Sequence, residues 1–507
     1  MLVCWLIGSL AKLFQSAALG ESLPEVLLDA SSTLAISTTS FKKEIIMKKS
    51  KLSLAIICSL FITTLVGCGS NGDFTKIDEV EENSRIFEVN YDQVDYDAGD
   101  KFWADNNDNW EGGCTAVSKE LSNGHRVVGR NMDLNIANKP AYIVRTDASE
   151  GRYKTVGLAY TFRDYAPLYD EVKEKGITSE FKNILPFLCD DVMNDQGLHI
   201  EVNMRHGECD FAGYDQFSLK GTNPDGDRRV HMFELPRYIG EHCKTVAEAK
   251  EYIKTLDIYS KDGYWNYCFI ISDSNDSGET HTSLLEFSEI GYLGEVYNEQ
   301  VSEDEKVLAV NWIDEEDISK IDWICKGYTG KMKPCKINAI AQANFYLNWW
   351  AYMREDMKSG EGRFFTIQSL INDVDSTSEM YDLMRRISYS WFYKDYDKCM
   401  KYHFDPRSEN LGEFQGGTHD FLFDERYEDT IKELFNASNA EVNKMNRKQK
   451  EEKGGIWEST FTEVVDVTEQ TIEVRFFENE GLRFRVTMDG IEHLDELEMP
   501  KFSKLPQ

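Results

Sequence analysis

A hairpin pattern near residue 120 constrains this chain more than any other feature. The run GCTAVSKELSNGHRVVGRNMDL covers residues 113–134, and its Asn-Gly dipeptide at 123–124 separates two alternating stretches. Asn-Gly between alternating runs is the strongest short signal for a two-stranded hairpin. The pairing would return Arg130 and Asp133 to the side of Cys114. A thiol, a fixed cation and a carboxylate on one hairpin indicate a nucleophile site.

The same stretch resembles the choloylglycine hydrolase family, which includes bile salt hydrolases and penicillin V acylases. The resemblance rests on Cys114 and on the Gly-Arg-Asn-Met-Asp motif at 129–133, which follows the cysteine at the family's spacing. It implies an α+β chain with the N-terminal nucleophile hydrolase fold, an αββα sandwich of two antiparallel sheets between helical layers. It also implies that Arg130 lies beside the thiolate, and that Asp133 holds the amino group that proteolysis releases on Cys114.

Cleavage at Gly113–Cys114 is the central functional expectation. An α-amino group has a pKa of roughly 7.7–8.0, so near neutral pH a substantial fraction is a free base beside the thiol it can activate. In the uncut chain the nitrogen of Cys114 is an amide, which has no useful basicity. The uncut chain is therefore expected to be inactive, and Gly112-Gly113 gives an attacking group room to reach the bond.

Two further stretches resemble other positions of the family. Gly362-Arg363-Phe364-Phe365 is similar to a Ser-Arg-Phe motif, so the resemblance implies that Arg363 lies in the active site, with Gly in place of Ser. Asn203, which ends the run 197–203, lies near a position that supplies an oxyanion donor, one residue out of register. Both residues have a purely structural alternative. Arg363 would then be a solvated arginine at the start of a helix, and Asn203 an asparagine in an edge strand.

The apolar run 307–311 resembles a strand of the family that ends in Thr-Asn, three residues before a catalytic Asn. Here Val310 replaces the Thr and the later position is Asp314, so the oxyanion role falls to either Asn311 or Asp314. A neutral amide donor suits a developing oxyanion and a carboxylate does not, which favours Asn311. The alternative is a strand-end asparagine that only satisfies a turn.

The N-terminal region is typical of an exported bacterial precursor. A basic segment at 47–51 precedes a nearly unbroken apolar stretch of 15 residues at 52–66, shorter than the ~20 that a membrane span needs. Leu65-Val66-Gly67-Cys68 resembles a lipobox, which implies a lipid on Cys68 and a secreted or membrane-anchored lipoprotein. A transmembrane anchor is the alternative. Residues 1–46 are interpreted as upstream sequence from a misplaced start codon.

Charge separates the rest of the chain into two regions. Residues 69–113 carry 13 acidic and 3 basic side chains, a composition that disfavours a packed core of its own, so we expect an acidic tether or propeptide there. Residues 114–507 are expected to form the hydrolase domain, and one domain or two remain open. The formal charge of −33 argues against nucleic-acid binding, which needs a cationic surface.

The cysteines after Cys114 give no metal or cofactor signal, because none has a zinc-site spacing. We interpret these seven thiols as mainly buried apolar groups, with one or two disulfides left open. Alternating runs predict strands at 142–145, 155–162, 197–204, 264–272, 283–287, 306–311, 461–467, 471–477 and 482–488. Helical patterns lie at 246–256, 337–357 and 376–387. The lysine-rich run 443–453 is expected to be an exposed linker.

The leading functional hypothesis is a cysteine amidase that cuts a linear C–N amide bond of a small molecule. Conjugated bile salts are the first substrate class that the resemblance implies, with penicillin V and acyl-homoserine lactones as alternatives. An acyltransferase related to isopenicillin N acyltransferase, which also begins at Gly-Cys-Thr, is the second hypothesis. A catalytically dead binding lipoprotein is the third. The sequence leaves a homo-oligomer open.

Overall fold

The computed structural model describes the residues in these ranges: 73–106, 113–135, 139–160, 165–204, 221–260, 267–274, 280–289, 308–318, 323–326, 332–335, 337–343, 361–387, 457–476 and 482–494. The signal and lipobox segment, the start of the 306–311 strand pattern, and the lysine-rich run lie outside the described residues. Within the described ranges, no helix combines the length and the apolar character that crossing a membrane requires.

The strands, in chain order, are β1 Phe74–Thr75, β2 Asp78–Glu79, β3 Ile86–Tyr91, β4 Gly113–Glu120, β5 Arg126–Asn135, β6 Ala141–Thr146, β7 Thr155–Tyr160, β8 Ile177–Thr178, β9 Asp191–Asn194, β10 Leu198–Met204, β11 Arg228–His231, β12 Leu256–Tyr259, β13 Tyr267–Ser274, β14 Thr280–Glu289, β15 Leu308–Asp314, β16 Trp323–Lys326, β17 Met332–Cys335, β18 Ala341–Gln342, β19 Trp457–Asp466, β20 Thr471–Phe476, β21 Arg483–Val486 and β22 Ile491–Leu494. The α-helices are α1 Tyr96–Asp105, α2 Tyr169–Lys175, α3 Ser179–Ile184, α4 Leu235–His242, α5 Val246–Ile253, α6 Glu315–Ile318, α7 Glu361–Leu370 and α8 Thr377–Arg386. Short 3-10 turns lie at Leu185–Leu188, Met232–Glu234 and Ile371–Asp373.

Two large sheets organise the described part of the chain. The first has nine strands in the order β15-β14-β13-β10-β9-β7-β6-β3-β2, and its neighbours are antiparallel except for the parallel pair β3 and β6. The second has seven strands in the order β18-β4-β5-β19-β20-β21-β22, all antiparallel. The terminal meander that the sequence predicts therefore completes the sheet that holds the hairpin.

The predicted hairpin is confirmed as β4 and β5. Cys114 lies opposite Met132, and Gly113 lies opposite Asp133. The turn places Gly124 at φ +85°, which glycine adopts without a steric penalty, and its N–H donates to the Leu121 carbonyl. Local turn chemistry thus sets the register of the two strands.

Strand β4 shows how the two sheets and one helical layer stack. On one face, the Ser118 hydroxyl lies 2.8 Å from that of Thr282 in the nine-stranded sheet. On the other face, the Lys119 ammonium donates to the carbonyls of Ile371 and Val374, at the end of α7. Because successive strand residues point to opposite faces, the seven-stranded sheet lies between the nine-stranded sheet and the layer of α7 and α8.

Helices also cover the far face of the nine-stranded sheet. The Asn194 amide in β9 donates to the Gly240 carbonyl in α4 at 2.8 Å, and the Val246 N–H at the start of α5 donates to Asp273 in β13 at 2.5 Å. The order of layers is helix, sheet, sheet, helix. The predicted αββα sandwich is confirmed, although one parallel strand pair departs from a fully antiparallel description.

The described part of the acidic segment packs into the nine-stranded sheet. Residues 73–106 are not a free tether, because β3 lies in the nine-stranded sheet and Ile86 and Trp103 are fully buried. The acidic side chains of Asp92 and Asp97 point to solvent. The composition of the whole segment does not show that its apolar and charged side chains lie on different faces.

The helix predicted at 337–357 is wrong in its described part. Residues 341–342 form β18, which pairs with Val117 and Ala116 in β4. The backbone groups of this short segment complete the edge of the seven-stranded sheet, so tertiary pairing overrides the local helical pattern. The helices predicted at 246–256 and 376–387 are present as α5 and α8, each with a side-chain cap, from Thr245 and Ser376.

Candidate active site

Cys114 lies at the start of β4 and points into the space between the two sheets. Its side chain is fully buried, and its Sγ lies 3.4 Å from the Met132 Sδ across the hairpin. Arg130 lies on the same face of β5, opposite Ala116 and therefore two residue pairs further along the hairpin. The structure thus brings the predicted thiol and cation together on one buried face.

Arg130 is the cation at the centre of a buried anionic cluster. Its guanidinium nitrogens lie 3.7 Å from Asp191, 3.7 Å from Glu201 and 3.5 Å from Glu463, and all four side chains are fully buried. One guanidinium N–H also donates to the Val202 carbonyl at 2.5 Å. Three carboxylates therefore share one guanidinium between the sheets, in addition to the nearby thiol.

The pKa values in this cluster follow from burial and from charge. Burial alone would lower the pKa of Arg130, but the nearby thiol of Cys114 and the carboxylates of Glu463 and Glu201 raise it above its ordinary value. These attractions keep Arg130 charged beside the thiol. Burial lowers the pKa of His199 to about 4, so that imidazole is neutral at pH 7.

The carboxylates respond in the opposite direction. Burial raises the pKa of Glu201 to about 8 despite the attraction of Arg130. Burial and then repulsion from Asp191 raise the pKa of Glu463 well above its ordinary value. At neutral pH, Glu201 is therefore held largely protonated, and the pKa of Glu463 shifts in the same direction, which reduces the negative charge around Arg130.

A Glu201→Gln variant tests this protonation. Since the folded state binds the Glu201 proton more tightly than the unfolded chain, its stabilising effect is complete below pH 4.5 and is lost as the pH rises through 8. Gln cannot titrate, so the free energy of unfolding of wild type should fall relative to that of Glu201→Gln between pH 5 and pH 9. Urea denaturation at several pH values measures the difference.

The control for this prediction is Glu492→Gln, which changes an exposed glutamate that is ion-paired with Arg485. Its stability difference from wild type should stay nearly constant over the same pH range. A constant difference for Glu201→Gln as well would contradict a protonated Glu201.

Asp133 and Arg363 form a second buried ion pair on the opposite face of the hairpin. The Arg363 Nη1 lies 2.7 Å from the Asp133 Oδ2, and both side chains are fully buried. The same nitrogen donates to the Thr115 hydroxyl and lies 3.5 Å from the backbone carbonyl oxygen of Cys114. Ser459 donates its hydroxyl to the other carboxylate oxygen of Asp133.

This second pair lies directly beside the bond that is expected to be cut. Asp133 is paired across the hairpin with Gly113, the residue before Cys114, and Arg363 reaches the carbonyl of Cys114. Residues directly opposite on antiparallel strands have Cα atoms ~4.5–5.5 Å apart. A carboxylate at this position can accept hydrogen bonds from an amino group released at Cys114.

Asn203 joins the cluster around Arg130 indirectly. It is fully buried in β10, and its amide nitrogen donates to the Glu201 carboxylate at 3.1 Å. Among the described residues, its amide oxygen has no hydrogen-bond partner. The side chain is therefore held on the same face of β10 as Glu201, which faces the space between the sheets.

Asn311 and Asp314 lie in β15, at the edge of the nine-stranded sheet. Asn311 pairs with Glu286, which pairs with Cys268, which pairs with Asn203. The two asparagines therefore share one row and one face of the sheet, three strand spacings or ~14 Å apart. Asp314 accepts from the Lys250 ammonium at 2.5 Å and from the Ser283 hydroxyl.

The carboxyl groups that surround Arg130 were not predicted from the sequence. Glu463 carries a usable signal, because it alternates with Phe461 and Val465 and therefore occupies an inward position of β19. Glu201 likewise precedes Asn203 by two residues on the same face. A charged residue in the apolar register of a predicted strand indicates a buried polar site.

The cysteines whose side chains the structure describes are reduced. Cys189, Cys243 and Cys268 are buried and form no disulfide, like Cys114. Burial raises the pKa of Cys189 to about 12, which keeps that thiol protonated despite its contact with Arg237. For these three thiols, the interpretation as buried apolar groups is confirmed.

Comparison with known proteins adds a family match over the segment that contains the hairpin. Residues 114–279 match the model of the linear amide C-N hydrolases, choloylglycine hydrolase family. The match begins at Cys114 itself and confirms the resemblance drawn from the hairpin motif. A search of curated proteins found no match.

Solved structures with low similarity include two amide hydrolases. A variant of conjugated bile acid hydrolase from Clostridium perfringens is 12% identical, with 77% of this chain and 100% of that chain covered and a TM-score of 0.33. Penicillin V acylase from Agrobacterium tumefaciens is 12% identical, with 74% and 86% covered and a TM-score of 0.27. At these TM-scores the structural similarities support no conclusion about function. The proposed function is based on the family match and on the site geometry.

Proposed function

We propose that the protein, whose residues 114–279 match the model of the linear amide C-N hydrolases, choloylglycine hydrolase family, is a cysteine amidase activated by cleavage at Gly113–Cys114. The observation that carries the proposal is the placement of Cys114 and Arg130 on one buried face of the hairpin, with Asp133 opposite Gly113. The thiol is the nucleophile, and the amino group of the same residue is the base.

The reaction proceeds through a thioester on Cys114. The released α-amine takes the thiol proton, the thiolate attacks the acyl carbonyl carbon, and the proton passes to the leaving nitrogen as the C–N bond breaks. A water molecule then attacks the thioester and gives a proton to the α-amine. The free acid leaves, and the thiol is restored.

Arg130 and Asp133 prepare the nucleophile in two different ways. Arg130 is a fixed positive charge near the sulfur, which favours the thiolate without donating a proton. Asp133, held by Arg363 and Ser459, accepts hydrogen bonds from the α-amine and fixes its direction. The cleaved chain thereby gains a base whose position is set by buried ion pairs.

Asn203 is the oxyanion donor in this proposal. Its amide nitrogen lies in the cluster that contains Arg130, and a neutral amide stabilises a developing oxyanion without adding charge. Asn311 lies on the same row of the sheet but three strands away from Asn203. An oxyanion role for Asn311 would therefore require a substrate that extends along this row.

The proposed substrates are small acyl conjugates with a linear amide, with conjugated bile salts first. Penicillin V and acyl-homoserine lactones are the alternatives. We place the enzyme outside the cytoplasm as a secreted protein or as a lipoprotein with its lipid on Cys68, in line with the basic segment, apolar run and lipobox pattern.

The test combines N-terminal sequencing with assays on the secreted protein. We expect a new N-terminus at Cys114 and release of free acid from at least one member of the substrate panel. Adding a competing amine distinguishes hydrolysis from acyl transfer. An acyl-amine product formed at the expense of free acid indicates acyl transfer. A fully active protein that keeps Gly113 joined to Cys114 would overturn the proposal.

A further inference from the structure

We infer that the segment before the cut stays bound after cleavage, so that the mature protein is a noncovalent pair of chains. The light chain contains residues 73–106 and ends at Gly113, and the heavy chain begins at Cys114. This inference rests on the proposed cleavage and adds a permanent partner to the catalytic chain. The family match begins at Cys114, so the light chain lies entirely before the matched segment.

Strand β3 is the first element that ties the light chain to the heavy chain. It pairs in parallel with β6 along six residues, from Ile86 opposite Ala141 to Tyr91 opposite Thr146. At its two ends, the Ala141 N–H donates to the backbone carbonyl of Arg85 and the Asp147 N–H donates to that of Tyr91, both at 2.9 Å. These backbone bonds do not depend on the bond at Gly113.

Removing β3 would expose a hydrophobic strand. The residues of β6 from Ala141 to Val144 are fully buried, and β3 lies beside them with Ile86 and Phe87 buried. Without the light chain, β6 would become a sheet edge with unpaired backbone groups beside apolar side chains, which favours aggregation. The heavy chain therefore needs this strand to stay soluble and folded.

Helix α1 is the second element that ties the light chain down. Its buried positions Tyr96, Gly99 and Trp103 have the spacing of one helical face. The Trp103 ring stacks on His231, with ring centres 4.6 Å apart and planes 5° apart. A Cβ on Gly99 would lie 2.6 Å from the Phe187 ring, so the helix backbone packs directly against that ring.

Polar contacts fix the orientation of α1. The Asp100 carboxylate accepts from Arg228 at 2.5 Å and from the Tyr238 hydroxyl at 3.0 Å. The Tyr96 hydroxyl donates to Glu241, which is itself paired with Arg237. In β3, Glu88 pairs with Arg145 at 2.5 Å. The Tyr96–Glu241 contact is buried, so loss of either partner leaves a buried polar group unpaired, whereas Asp100 and Glu88 are about one-third exposed.

Cleavage therefore activates the nucleophile without releasing the catalytic chain. A lipid on Cys68 would lie on the light chain, so it would hold the heavy chain at the membrane through the contacts of β3 and α1. The acidic segment acts as a structural subunit and not as a propeptide that is discarded.

The first experiment uses the full chain with an affinity tag after residue 507. Protein purified through this tag is analysed by native mass spectrometry and by denaturing electrophoresis. We expect one light chain for each heavy chain under native conditions and two separate bands after denaturation. A folded, active heavy chain without a light chain would overturn the inference.

A second experiment gives a result even if the chain is not cut naturally. A recognition site for a specific protease replaces residues 107–112, and the purified Cys114→Ala protein is cut there and passed over a sizing column. Co-elution of the two pieces in native buffer supports the inference, and their separation in native buffer overturns it. N-terminal sequencing reports separately on the natural cleavage, so failure of the proposed function is distinguishable.

Two substitutions in α1 test whether its buried face holds the light chain on the heavy chain. In the cut protein, Trp103→Ala should speed release of the light chain by about 100-fold, because a large buried ring is lost. Lys101→Ala changes an exposed residue of the same helix and should leave release unchanged. Equal release rates for the two variants would contradict the role of the α1 face.

Discussion

A Cys114→Ala variant should lose amide hydrolysis by about 10³-fold or more, and its Gly113–Cys114 bond should stay intact. In the proposed mechanism the sulfur forms the acyl bond, and Cys114 lies on the same buried face of the hairpin as Arg130. Without the thiol, neither the thioester nor a self-cleavage step through this side chain can form. Initial rates and intact mass measure the two effects.

Two further variants make this prediction specific. Cys243→Ala removes another buried free thiol, at the end of α4 and away from the hairpin, and should keep near-wild-type activity. Cys114→Ser keeps the geometry but replaces the thiol by a much less acidic hydroxyl. Turnover by Cys114→Ser at the wild-type rate would exclude a thiolate mechanism.

Replacing Arg130 with Gln should lower the free energy of unfolding by about 3–5 kcal/mol at pH 7. The substitution leaves Asp191, Glu201 and Glu463 buried without their shared cation. Their protonated forms then become still more favourable in the folded state, so the loss should grow as the pH rises. Urea denaturation in the Cys114→Ala background measures stability apart from cleavage.

Two controls isolate the charge effect at Arg130. Adding Glu463→Gln to the Arg130→Gln variant removes one of the uncompensated carboxyl groups and should restore part of the stability at pH 7 and above. Arg229→Gln removes a half-exposed arginine that is paired with Asp257 and should cost at most about 1 kcal/mol. Similar losses for Arg229→Gln and Arg130→Gln would show that burial of the cluster is not decisive.

The hairpin could be predicted because its signals are local. The Asn-Gly turn and the alternation on each side set the register, and the register places Cys114, Arg130 and Asp133. Arg363 came from a short motif, and the structure places it against Asp133, more than 200 residues away in sequence. The motif resemblance thus indicated an active-site position for Arg363, which the periodicity of the sequence alone could not indicate.

The carboxylates around Arg130 could not be predicted in the same way. Asp191, Glu201 and Glu463 come from three strands in two different sheets, and only the stacking of those sheets brings them together. The same limit applies to Asn203 and Asn311, because their row is set by strand order. The packing of residues 73–106 could not be predicted either, because net charge averages over faces that the fold separates.

The amino-acid sequence by itself determined the hairpin, its register and the chemical groups that it carries, because turn geometry and alternation act over a few residues. The tertiary structure alone decided which carboxylates surround Arg130 and how the acidic segment is used. Those outcomes depend on strand order and sheet stacking, in which the burial of apolar faces such as that of Trp103 outweighs local composition.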